Sequence, residues 1–142
     1  MNMRNYPRRV YAIDQFTQPH VTELAGEKFH FVLDNGTDYY LNFTSGDTCE
    51  WNFAGGEPSP ATYFCRKGDD DTYMVDFELT GLADEFKREN HLFIIVLEQR
   101  LVTFAHCKVG ENPQFPYLVS SKYLFGAIQT PGMPLPFKRH CF

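Results

Sequence analysis

From Lys28 onward, apolar and polar residues alternate in short runs, and clusters of Gly, Asn, Asp and Ser separate one run from the next. A period of two is the signature of half-buried β-strands. It predicts eight of them: Lys28 to Asp34, Thr37 to Thr44, Thr48 to Phe53, Thr62 to Arg66, Thr72 to Leu79, His91 to Glu98, Leu101 to Val109 and Tyr123 to Gln129. Asn35-Gly36 tolerates positive φ and predicts a tight type I′ hairpin. In the fifth run Tyr73, Val75, Phe77 and Leu79 form the apolar face. Met74, Asp76 and Glu78 form the wet one, with Arg66 as a partner for the carboxylates.

Two segments break the alternation. His20 to Gly26 has Val21 and Leu24 three apart and stops at glycine, which predicts a helical turn or two able to plug one end of a barrel. Gly81 to Asn90 has Leu82 and Phe86 four apart, and Asp84 at the same distance from Arg88, which predicts a short amphipathic helix or lid. Residues 1–19 read as an N-terminal arm with a short strand around Val10 to Ile13. Residues 20–130 read as the single β-barrel domain, and 131–142 as an extended tail carrying Pro131, Pro134 and Pro136.

Sequential hairpins without a long crossover helix favour antiparallel, up-and-down connection. Eight such strands can close, which removes exposed edges. The expected fold class is therefore all-β: an up-and-down eight-stranded lipocalin-like (calycin) barrel with one or two short helices. A two-sheet sandwich shares the same periodicity. A barrel of this size is just wide enough to be filled by side chains or to hold one small ligand.

Composition narrows the function. The chain of 142 residues has a formal charge of −5 and 16% aromatic residues, among them a single Trp. A net acidic chain without clustered Lys and Arg does not suit nucleic acid. No window approaches the roughly 18 apolar residues of a membrane span, and no apolar run follows the basic start as in a signal peptide. No membrane association and a cytoplasmic location are the expectations, with Cys49, Cys65, Cys107 and Cys141 as free thiols. Asp69-Asp70-Asp71 reads as a turn, since no EF-hand spacing follows it. No zinc spacing, GxGxxG, P-loop or GxSxG is present, so neither a metal nor another cofactor is expected.

If the apolar faces point inward, the interior includes Tyr39, Leu41, Phe43, Trp51, Phe53, Tyr63, Cys65, Tyr73, Val75 and Phe77, with Phe104, His106, Tyr123 and Phe125 from later strands. Many of these rings have polar tips, and a buried hydroxyl or indole N–H needs a partner. A ligand-sized cavity bordered by Tyr39, Trp51, Tyr63, Tyr73, His106 and Tyr123 is the expectation. His106 is the candidate acid or base, because imidazole titrates near neutrality, and Tyr73 is the second catalytic candidate. His30 falls on the opposite, outer face.

Glu23-Leu24-Ala25-Gly26-Glu27-Lys28-Phe29, Asp34-Asn35-Gly36-Thr37, Tyr73-Met74-Val75-Asp76-Phe77 and the hairpin up to Val102-Thr103 resemble the MoaF-like family (molybdenum cofactor biosynthesis protein F). The resemblance covers about residues 22 to 130 and implies a calycin barrel similar in shape to phenolic acid decarboxylases. Longer members continue into a second barrel. Neither the resemblance nor the residues supply an anion cradle of the kind a pterin phosphate needs. Three functions fit the sequence. The first is a module binding a small, partly apolar or aromatic molecule in the lumen. The second is a cofactor-free lyase, isomerase or cyclase using Tyr and His for proton transfer. The third is an accessory subunit, with a homodimer as a further expectation.

Overall fold

A computed structural model describes residues 19–80, 86–110 and 119–132. Eight strands form a closed barrel in sequence order: β1 (Lys28–Leu33), β2 (Asp38–Phe43), β3 (Thr48–Phe53), β4 (Ser59–Lys67), β5 (Thr72–Thr80), β6 (Phe86–Val96), β7 (Leu101–Gly110) and β8 (Val119–Ile128). Every neighbouring pair is antiparallel, and β8 returns to β1 through Phe31↔Ile128, Val32↔Ala127 and Leu33↔Gly126. The architecture expected from alternation is thus present, and closure rather than stacking satisfies the edges. Most of the expected arm at 1–19 and tail at 131–142, together with residues 81–85 and 111–118, lies outside the described residues.

Alternation also sets the core. Tyr39, Leu41 and Phe43 on β2, Val75 and Phe77 on β5, Phe93 and Ile95 on β6 and Phe104 on β7 are buried. Residues directly opposite on paired strands share a face, so these side chains meet inside. Phe31, Tyr39, Phe93 and Phe104 touch across the middle, with ring centroids 4.7 Å apart for Phe93 and Phe104 and 5.0 Å for Tyr39 and Phe93. The central cross-section is therefore occupied by the protein's own rings.

Three local expectations change. The hairpin at Asn35-Gly36 is not type I′, which needs positive φ at both residues. Only Gly36 has it (φ 87°), Gly36 N–H donates to Leu33 O, and Leu33 N–H donates to Thr37 O. This is the three-residue loop in which a turn over Asp34-Asn35 is followed by a left-handed glycine. Second, β6 begins at Phe86, so Phe86 to Asn90 is strand rather than helix. Pairing with both β5 and β7 overrides the weak four-residue spacing. Third, His20 to Gly26 forms turns rather than a helix, and no helix occurs among the described residues. The plugging role survives this change. Leu24 is buried in the core, Val21 N–H donates to Cys65 O, and His20 Nδ1 accepts from Cys65 N–H. One end of the barrel is covered in this way, and the chemistry gathers toward the other.

Candidate functional site

Glu89 and His91 stand two apart on β6, so both point inward. His106 on β7 lies directly opposite His91, and Lys108 directly opposite Glu89. Register alone therefore brings four polar side chains together on the inner wall. Glu89 and His91 are buried, and His91 is wholly so. His91 Nε2 lies 2.5 Å and His106 Nε2 lies 2.8 Å from the same carboxylate oxygen, Glu89 Oε2. Lys108 Nζ is 3.9 Å from the other oxygen, Oε1. Behind them, Tyr39 Oη is 2.8 Å from His91 Nδ1.

The protonation states follow from burial. Burial raises the Tyr39 pKa far above its ordinary value, so the phenol keeps its proton and donates to His91 Nδ1. Burial also lowers the His91 pKa, which favours the neutral ring. With Nδ1 accepting, Nε2 carries the hydrogen and donates to Glu89. The hydrogen bonds from His106 and then His91 hold the Glu89 carboxyl well below the usual carboxylate range. The result is a chain, Tyr39 to His91 to Glu89 to His106, with one negative charge at Glu89 and Lys108 as its counter-charge. Only the His106 end reaches solvent, with 18% of its side chain exposed against 0% for His91.

Beside His106 a pocket of about 180 Å³ is lined by His106, Lys108, Ser120 and Lys122. These are cross-strand partners on one face of β7 and β8, His106↔Lys122 and Lys108↔Ser120. Phe53 packs on the inner side of His106 at 5.9 Å between ring centroids. Trp51 packs tilted against His91, with ring centroids 4.6 Å apart, and its Nε1–H is shielded from solvent without an acceptor.

Of the six residues expected to border one cavity, Tyr39, Trp51 and His106 meet at this site. Tyr63 and Tyr73 point inward, as alternation required, but serve the covered end. Tyr63 O–H donates to Ser45 O at 2.8 Å, and Tyr73 O–H donates to Glu23 at 2.5 Å. The bond to Glu23, itself paired with Lys67, raises the Tyr73 pKa. Tyr73 thus lies at the far end from His106. Tyr123 points outward with 66% exposure, as does Phe125 with 63%. On β8 the inner positions are Leu124 and Gly126, which pair with the inward Phe104 and with Leu33 and Val102, and a Cβ at 126 would stand 2.5 Å from Val32 O. His30 lies on the outer face beside Asp38, and Arg66 pairs with Asp76 at 3.3 Å.

Glu89 and His91 carry the site, yet alternation did not single them out. His91-Phe93-Ile95 signals an inward histidine, and extending that strand back by two residues adds Glu89. The helical reading of Gly81 to Asn90 concealed the pair.

The fold and its polar end define a small antiparallel barrel of the calycin-like type. The chain belongs to the MoaF N-terminal domain family, whose family model matches residues 10–105. No curated protein matches it.

Proposed function

We propose that the barrel binds a small molecule with a single ring-sized apolar body and an anionic oxygen group at its Glu89 end, and that His106 exchanges a proton with it. The carrying observation is the pocket of about 180 Å³ whose walls supply Lys108, Lys122 and the Ser120 hydroxyl beside a His106–Glu89 pair. The side chains lining it are polar, and its volume is of the order that holds one small ring, in keeping with the small, partly apolar or aromatic ligand expected from the sequence. Lysines favour a carboxylate or phosphate oxygen. Phe53 backs the imidazole that the ligand would meet.

Binding is the primary reading, and cofactor-free proton transfer is the enzymatic form of the same site. Glu89 accepts from His106 Nε2–H and so orients the ring, the arrangement a general base needs. Titration calorimetry at low salt with 4-hydroxybenzoate tests it. Saturable binding is expected, and Lys122→Ala should weaken it roughly tenfold, the scale of one charge-assisted hydrogen bond. Equal affinity for the neutral benzyl alcohol, or no effect of Lys122→Ala, would contradict the reading.

A second reading, the accessory role with a homodimer, draws on the exposed Tyr123 and Phe125. Beside them an apolar cleft of about 230 Å³ is lined by Leu101, Val102, Thr103, Phe125, Gly126 and Asp34.

A further inference from the structure

We propose that Glu89, His91 and His106 form a binding site for one divalent transition-metal ion. Their ligand atoms, one carboxylate oxygen and two imidazole nitrogens, lie within 4.8 Å of one another. Two ligands at positions i and i+2 of β6 and a third directly opposite on β7 converge from rigid strands rather than loops. Both rings already aim Nε2 at the same oxygen, at 2.5 and 2.8 Å. Ligands about 2.1 Å from a tetrahedral ion stand roughly 3.4 Å from one another. The two contacts therefore need to open by roughly 0.9 and 0.6 Å.

The surroundings suit the ion. Two imidazoles and a carboxylate select a zinc- or iron-class cation over calcium or magnesium, which prefer oxygen alone. Lys108 faces Oε1, which leaves Oε2 for the ion. Tyr39 supplies the outer partner that metal-bound histidines usually have. Its hydroxyl donates to His91 Nδ1 when Nε2 carries the hydrogen, and it can accept from Nδ1–H once Nε2 is a ligand. Coordination thus moves a hydrogen across the ring without a change in its charge. Three protein ligands leave a position for water or for the anionic group of a molecule in the adjoining pocket.

The inference rests on this end of the barrel being the functional centre, but metal binding is read without any organic ligand. Tag-free protein is stripped with chelator, dialysed and titrated with cobalt(II), then with zinc in competition. One cobalt per chain is expected, with the intense visible absorption of a low-coordinate site that zinc bleaches. Loss of an outer partner costs roughly 10–100-fold in affinity. Tyr39→Phe should therefore weaken binding at least roughly tenfold, and Glu89→Gln and His106→Ala should weaken it further. His30→Ala, on the outer face, should leave it unchanged. Circular dichroism accompanies each variant, and should Glu89→Gln unfold, His106→Ala, at the less buried end of the cluster, decides. Absence of cobalt binding, or binding that survives His106→Ala, would overturn the site. Binding of 4-hydroxybenzoate in the presence of chelator is scored separately, so loss of the metal site leaves the anion pocket standing and the reverse also holds.

Discussion

A carboxylate with only 10% of its side chain exposed is stable as an anion only if donors replace the water it has lost. Glu89 has two imidazole N–H donors and the Lys108 ammonium, and the two imidazoles in turn depend on it. Glu89→Gln removes the charge and places an amide where two N–H groups need an acceptor. A loss of about 2–4 kcal/mol in urea denaturation is expected. A loss below about 0.5 kcal/mol would mean that the network contributes little to stability. The pH dependence has a definite sign. His91 has a lowered folded pKa, so its contribution begins to fall as pH drops below its unfolded value of about 6.5. Glu89 also has a lowered folded pKa, so its contribution is complete above about 4.3 and is lost on further acidification. Stability of the wild type should decline in both windows, and Glu89→Gln should flatten the more acidic one. Stability that rises on acidification below pH about 6 would contradict these protonation states.

At the level of elements, strand alternation was legible almost throughout, because a half-buried barrel wall imposes period two on every strand. Two features were not. The four-residue spacing of Leu82 and Phe86 suggested a helix, and nothing local reveals that β5 and β7 hold Arg88 to Asn90 extended between them. In β8, alternation was read with Tyr123 and Phe125 on the inward, apolar face. The deciding factor is crowding at the seam, where β8 closes on β1 and only the absent side chain of Gly126 fits against Val32 and Leu33. Gly126→Ala should therefore force β8 from β1 and cost about 1–3 kcal/mol, read as a lower urea midpoint. Native-state hydrogen exchange should speed up first at the β1–β8 pairs. A neutral substitution would mean the seam is looser than described.

For the whole molecule, closure leaves an aromatic middle, one covered end and one polar end. Among the described residues no helix is long and apolar enough to cross a membrane. Cys49, Cys65 and Cys107 are free, while Cys141 lies outside the described residues. Burial pushes the thiols of Cys49 and Cys65 up to about 12 and about 11. In the Cys141→Ser protein, a thiol reagent should find one reactive group in the native state, at the half-buried Cys107, and three after unfolding. Two or more fast groups in the native state would show that the barrel opens readily. The homodimer reading predicts that Phe125→Ser abolishes concentration-dependent association in sedimentation velocity. Unchanged sedimentation of the wild type across the concentration range would end it.

The central claim is that function resides at the end where His106 meets Glu89, Lys108 and Lys122. Long-range proton–nitrogen spectra of the histidine rings test it most directly, recorded on chelator-treated protein during titration with 4-hydroxybenzoate. The His106 ring nitrogens should shift saturably, while those of His20 and His30, at the covered end and on the outer face, stay in place. A ligand that moves His20 or His30 and leaves His106 unchanged would place binding elsewhere and contradict the account.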